Sequence, residues 1–337
     1  MPQHSIMVSP DAYRAARHAA AAIVRHDRGL LAVAGADRRS YLHGLLTNDI
    51  VSLEAGAGCY AAYLTPQGRM ITDLFVYELG DSILATTARA TTRDVLAKLD
   101  QFVFTEDVQL GDVTDTFSHV SLVGPSAPRV LAALLAQPEA LLRSLPEHGN
   151  RRLPFEGQSA IVTRAGDLGE PGFDVYVEKD AAEHVMTQLK AAGAADLDAA
   201  TAEAIRVEAG VPWFGPDMDA ETIPLEAGIE SRAISFTKGC YVGQEVIIRV
   251  LHRGHGRVAR KLVGLSLDGL QVPSPGTTIR AGDREVGHIT SAVMSPALEK
   301  PIALAYVQRD FVAVGTELSV DGSRAIVHAL PFVARRL

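Results

Sequence analysis

Apolar and polar positions change period several times along the chain, and each change marks the edge of an expected element. Asp11 to Val24 has helix-forming composition and predicts a first helix, ended by the polar segment Arg25-His26-Asp27-Arg28-Gly29. Leu30 to Ala34 is a short apolar run and reads as a strand. Tyr41, Leu42, Leu45 and Leu46 return to helical spacing, which predicts a helix capped by Asp37 and stopped near Asn48. Cys59 to Leu64, Met70 to Glu78 and Ser82 to Thr87 then alternate, with Thr65-Pro66-Gln67-Gly68 and Leu79-Gly80-Asp81 as turns between them. That pattern is an antiparallel meander. Thr92 to Phe102 is helical again, and Val108 to Val113 and His119 to Val123 are strands.

Further on, Ser126 to Leu145 predicts one Ala/Leu-rich helix and Pro146 to Gln158 a loose connection. Ala160 to Arg164 and Phe173 to Val177 read as a strand pair, Ala181 to Ala192 and Ala199 to Ala209 as helices. Strands and helices mix without strict one-to-one alternation, which favours an α+β class over a doubly wound sheet. From Lys261 onward, short β-rich runs alternate with Gly, Pro and Asp turns and no helix is expected. A small closed or half-closed β-barrel follows, with a boundary near Gly254 to Lys261.

The chain of 337 residues is 47% hydrophobic and 21% charged, so an ordered globular protein of two or three domains is expected. Its longest apolar runs, such as Val130 to Ala136, fall far short of the roughly 18 residues that span a bilayer. A soluble protein without an export signal is the expectation. Its two cysteines, Cys59 and Cys240, belong to no Cys-x-x-Cys pair, and a reducing cytoplasm is their simplest home. A net charge of −8 argues against general nucleic-acid binding while leaving room for a local basic pocket.

The densest chemistry lies in Lys238-Gly239-Cys240-Tyr241-Val242-Gly243-Gln244-Glu245, which packs a thiol, an amine, a carboxamide, a carboxylate and two glycines into eight residues. Glycine at 239 and 243 reads as a tight loop. From the residues alone it is either a connection whose glycines serve turn geometry or a site where the polar groups converge. It has no Walker ending and no zinc-ligand spacing. Cys240 stands two residues after Lys238, whose ammonium would favour a thiolate. A second stretch runs from Arg206 and Glu208 through Gly210 and Pro212 to Trp213, the one tryptophan. A flat aromatic beside a forked cation suits a planar, partly anionic heterocycle, although a capped helix end with a buried tryptophan explains the same residues. Third, Arg249, His252, Arg253, His255, Arg257, Arg260 and Lys261 crowd together in an acidic protein and would steer anions.

Lys-Gly-Cys-Tyr-x-Gly-Gln-Glu at 238–245 resembles the signature of the YgfZ family, folate-binding relatives of the glycine-cleavage T-protein (aminomethyltransferase). The Arg206-x-Glu208-x-Gly210-x-Pro212-x-x-Gly215 stretch and Gly169-Glu170-Pro171-Gly172-Phe173-Asp174 are similar to T-protein segments, the second ending on an acid that contacts the pterin. At Gly68-Arg69-Met70-Ile71-Thr72-Asp73 the T-proteins carry two consecutive acids, used in aminomethyl transfer to folate; this chain has Thr72 and then Asp73.

The resemblance implies an aminomethyltransferase-like α+β fold with two interleaved α+β units around a folate cavity and a C-terminal β-barrel. The units would be 1–50 plus 118–254, an inserted 51–117, and a barrel over 255–337. It implies tetrahydrofolate or a one-carbon derivative as cofactor, bound by Asp174, Arg206, Glu208, Trp213, Gln244, Glu245, Arg249 and Arg253, with Cys240, Lys238 and Asp73 carrying the chemistry. Cys240 is expected to face the cavity. The function implied is assistance to assembly or repair of iron–sulfur client enzymes, tRNA-modifying ones included, by a cytoplasmic monomer that does not itself bind nucleic acid. The alternative is a folate-dependent aminomethyltransferase of glycine cleavage; a demethylase on the same scaffold is a third.

Overall fold

The computed structural model describes residues 8–252 and 257–334. Two sheets and a barrel carry the chain. The first sheet has six strands in the order Ala195–Asp196, Ala21–Val24, Phe117–Val123, Gly172–Glu178, Gln158–Ala165 and Asn150–Phe155. The second has five, all antiparallel, in the order Gly58–Leu64, Met70–Glu78, Ser82–Ala88, Arg28–Ala34 and Gln109–Asp112. Six more strands between Arg260 and His328 close into a barrel.

Alternation along the strands decides what lies where. In the six-stranded sheet Val120, Leu122, Phe173 and Val175 turn outward, into a core shared with the helices Ala127–Leu134 and Ala182–Ala191. In the five-stranded sheet Leu31, Val33, Leu74 and Val76 do the same beneath the helices Arg38–Leu45 and Thr92–Asp100. The intervening residues, among them Leu30, Tyr77, Leu84 and Tyr176, meet where the two sheets face each other. The molecule is thus layered helix, sheet, sheet, helix, and the space between the sheets is where polar residues on the inner faces converge.

The meander, the strand pair and the barrel lie where the pattern predicts them. Several elements differ. The first helix covers only Pro10–His18, because the chain then turns into the strand Ala21–Val24, whose alanines are as compatible with either state. The expected Ala/Leu-rich helix is two, Ala127–Leu134 and Glu139–Arg143, broken where Ala136 takes φ of 50° ahead of Pro138. The loose connection holds the edge strand Asn150–Phe155. Arg28–Ala34, expected in the unit of residues 1–50, is hydrogen-bonded into the five-stranded sheet.

Candidate functional site

Between the two sheets a narrow cleft, with a water-accessible volume of about 20 Å³, opens to the surface. Strand period builds one side of it. Because Leu74 and Val76 point to the helices, Asp73, Phe75 and Tyr77 point the other way, toward the facing sheet. Tyr60 is the cross-strand partner of Phe75, and their rings lie 4.9 Å apart. Arg28 shares this face from the strand Arg28–Ala34, beyond Ser82–Ala88, donating to the hydroxyl and carbonyl oxygens of Thr86 at 3.2 and 3.3 Å, with its guanidinium 5.3 Å from the Phe75 ring. The opposite wall comes from three turns that carry His148, Asp167 and Trp213, and Arg232 stands exposed at the mouth with its guanidinium 5.2 Å from the Tyr60 ring.

Asp73 is the chemical centre of the cleft. It is 3% exposed, and its Oδ2 accepts the Tyr60 hydroxyl at 2.8 Å while Oδ1 has no hydrogen-bond partner. Burial, and then the negative charge of Asp73, hold the Tyr60 phenol protonated well above its ordinary range. Burial also pushes the His148 imidazole down, toward its neutral form. A buried acceptor with a free lone pair, beside aromatic faces and two guanidinium groups, is equipped to take a proton or an N–H bond from a flat polar ring. Thr72 lies on the opposite face, its hydroxyl 2.6 Å from that of Thr87.

Of the residues singled out in the sequence, Asp73 and Trp213 line the cleft. Arg206 does not reach it as a free cation. It is fully buried and spends its guanidinium on Asp217 at 2.6 Å, the carbonyl of Val211 at 2.8 Å, Ser291 of the barrel at 2.8 Å and Glu203. It touches the cleft wall through the Val211 carbonyl and through the Trp213 ring, 4.7 Å from the guanidinium carbon. Glu208 is likewise a structural hub: it accepts from Tyr13 at 2.7 Å, from Arg17, and from Ser295 of the barrel. Arg206 ties the barrel to the helix Ala199–Glu208, and Glu208 ties both the barrel and the first helix to it, so in place of the expected contact with the ligand both hold the walls. Asp174 is buried one step behind the cleft, bonded to Ser121 and 3.1 Å from Nε2 of His119. Burial opposes its charge, but His119 and Arg25 outweigh that and hold the carboxyl below its ordinary range.

The 238–245 segment lies apart from the cleft. Lys238 is part-buried and donates to the carbonyl oxygens of His43, Leu46 and Asn48 at the end of the helix Arg38–Leu45, so its ammonium serves as a cap. Cys240 is exposed, as a free thiol, and does not face the cleft. Gly243 is the glycine the geometry requires, with φ of 84° and the Thr65 carbonyl oxygen 2.5 Å from where a Cβ would sit; Gly239 has open space around it. At Gln244 the segment becomes a helix, Gln244–His252, which the basic residues had concealed. Its apolar positions Ile247, Val250 and Leu251 recur at helical spacing and pack on the core beneath it, leaving Glu245 and Arg249 in solvent and Gln244 half-buried. Arg253 lies outside the described residues.

Tyr60, Phe75, Arg28 and Arg232 escaped the sequence reading. The first two could have been found by carrying the alternation of the meander one step further, to ask which residues share a face with Asp73.

Residues 7–238 match the GCVT N-terminal domain and residues 260–333 the glycine cleavage T-protein C-terminal barrel domain. The chain belongs to the glycine cleavage T-protein family. Similar relatives are the aminomethyltransferases of Rubrobacter xylanophilus, 33% identical over 83% of this chain and 73% of the relative, and of Geobacillus kaustophilus, 32% identical over 91% and 85%. The glycine cleavage system aminomethyltransferase T of Bartonella henselae shares the fold with a TM-score of 0.87 at 23% identity, covering 98% of this chain and 92% of that one. The α+β aminomethyltransferase-like fold with its closed C-terminal barrel is therefore that of the T-protein family, whose aminomethyltransferases use tetrahydrofolate. Among the described residues no helix is long and apolar enough to cross a membrane.

Proposed function

We propose that this chain binds tetrahydrofolate or a one-carbon derivative in the cleft between the sheets and transfers a one-carbon group there, as a folate-dependent aminomethyltransferase does. The observation that carries the reading is Asp73, buried on the cleft with one oxygen fixed by Tyr60 and the other unpaired. The residues fit the cofactor: Tyr60, Phe75 and Trp213 offer aromatic surface to a flat ring, Asp73 offers an acceptor for its N–H groups, and Arg232 at the mouth suits the carboxylates of a glutamate tail. When bound, tetrahydrofolate supplies the acceptor for the one-carbon unit. Asp73 would hold or accept the proton released there, Tyr60 would keep the carboxylate turned into the cleft, and Arg28 would stabilise its charge. Incubation with aminomethylated lipoyl protein and tetrahydrofolate tests this; ammonia should be released by the wild type and not by Asp73→Asn, and no release from the wild type would remove the transferase reading.

A second reading is favoured by one observation, the exposed Cys240 in a loop of YgfZ type that Lys238 ties to the helix end. In that reading the same folate-binding cleft belongs to a cytoplasmic protein that assists assembly or repair of iron–sulfur enzymes, with Cys240 meeting the client at the surface. Deleting the gene and assaying cluster-dependent enzymes tests it; full rescue by Cys240→Ala would count against it.

A further inference from the structure

One titratable group on the cleft wall has no part in the chemistry assigned to Asp73. His148 stands in the turn ahead of the strand Asn150–Phe155, and its ring packs 5.6 Å from that of Phe75, two residues beyond Asp73 on the same strand face. The turn holds it in an unusual backbone. His148 takes φ of 59°, in the left-handed region that glycine fills without strain and that a histidine rarely adopts. Both flanks are pinned. The Gly149 amide donates to the Pro146 carbonyl at 2.9 Å and the Asn150 amide to that of Gly56 at 2.8 Å, while the Gly149 carbonyl accepts from the Arg164 amide at 2.7 Å. The imidazole is thus presented to the cleft by a turn tied to both sheets' surroundings.

Its two nitrogens meet different neighbours. Nδ1 is buried without a hydrogen-bond partner, and Nε2 lies 3.9 Å from a carboxylate oxygen of Glu147, whose side chain is 72% exposed. Burial holds the imidazole toward its neutral form, against the pull of Glu147 and Asp167 and with the help of Arg232. Asp73 and Arg28 line the same cleft. Asp73 itself is 3% exposed, with one oxygen bonded to Tyr60, so a proton it takes up needs a way out before the next turnover. A neutral imidazole with one nitrogen turned inward and the other beside an exposed carboxylate provides that way.

Resting on the one-carbon-transfer reading above, we propose that His148 is a proton relay between the cleft and solvent, taking a proton at Nδ1 and giving up the one on Nε2 toward Glu147. The proton that Asp73 takes from the bound folate nitrogen as its N–C bond forms passes to Nδ1, and the electron pair that held it stays on that nitrogen. The ring remains neutral, its tautomer exchanged, and exchange with water restores it. Ammonia release is measured at saturating tetrahydrofolate and aminomethylated lipoyl protein in the wild type and His148→Gly, with and without free imidazole. The histidine NMR titration is followed in the unliganded wild type, His148→Gly and Glu147→Gln. His148→Gly relieves the backbone and leaves room for imidazole, and it should keep the melting temperature and the Kd for tetrahydrofolate. Its kcat should fall about 10²-fold, the lower share of general acid–base catalysis, and recover with added imidazole. The resonance missing from His148→Gly should titrate in the wild type below about 6.5, the ordinary histidine value, and lower still in Glu147→Gln. An unchanged kcat, a loss that imidazole does not restore, a loss confined to the Kd, or a His148 titration that lies at or above the ordinary value or ignores Glu147→Gln would overturn the inference and leave the transfer reading intact. No ammonia release by the wild type overturns both. Should His148→Gly fail to fold, His148→Asn, which accepts the same backbone, is expected to lose kcat with the Kd kept, and an unchanged kcat overturns the inference.

Discussion

The cleft and the 238–245 segment contrast in how their polar groups are used. Lys238 commits its ammonium to three carbonyl oxygens, and its neighbour Cys240 looks into solvent. Asp73, set among unremarkable strand residues, keeps an oxygen unpaired in a buried hollow. A run of reactive residue types close in sequence therefore need not be a convergent site, whereas one acid on the inner face of a strand becomes one when a second sheet packs over it. What distinguishes a group poised for a ligand is that the fold has buried it without satisfying it.

Substitutions on the two sides should separate them. The largest effect is expected at Asp73→Asn, which keeps the bond to Tyr60 and removes the proton acceptor. One-carbon transfer should fall by about 10²–10⁴-fold, the usual share of a general acid or base, with the melting temperature nearly unchanged. A melting temperature that collapses with the activity would return Asp73 to an ordinary structural role. Next comes Arg206→Ala. It strands Asp217 in the interior and should cost about 3–5 kcal/mol of stability in denaturant melts, as breaking a buried pair does. A stable variant that has lost only folate affinity would restore Arg206 as a ligand residue. Lys238→Met should cost about 1–3 kcal/mol through the carbonyl oxygens it leaves without a donor, with folate affinity unchanged.

A smaller effect concerns pH. The folded Asp174 carboxyl is held below its ordinary range, because His119 and Arg25 outweigh burial. The folded state then binds this proton more weakly than the unfolded chain, whose aspartates titrate at about 3.9. The stabilisation is complete above that pH and is lost as pH falls through the folded value. Acid-unfolding curves of Asp174→Asn should be flatter below about pH 4 than those of the wild type; identical curves would remove the ion pair from the account. The smallest change is expected at Cys240→Ser, within about 0.5 kcal/mol in stability, as for surface positions without partners. Folate affinity should stay the same, so any loss of cluster-dependent enzyme activity in cells would be traced to the surface thiol.

Much of the architecture was legible because period is a local property. The alternation of Cys59 to Glu78 and the short runs after Lys261 define the meander and the barrel without tertiary information. Where composition serves two states, the reading failed: the alanines after His18 suit a helix or a strand, and tertiary pairing with 120–123 decides. The cleft was half legible. Asp73 and Trp213 were found, but Arg28, Tyr60 and Asp167 reach it only because two sheets separated in sequence face each other, which no window of the chain records. Arg206 and Glu208 misled for the opposite reason. A forked cation and an acid near a tryptophan look the same in sequence whether they await a ligand or are already paired with Asp217 and Arg17.

The central claim is that the cleft beside Asp73, and not the loop around Cys240, is where folate binds. Calorimetric titration of tetrahydrofolate tests it most directly, on the wild type, Asp73→Asn and Cys240→Ala. One saturable site on the wild type, weakened tenfold or more in Asp73→Asn and unchanged in Cys240→Ala, is the predicted result. No binding by the wild type, or binding lost in Cys240→Ala and kept in Asp73→Asn, would contradict it.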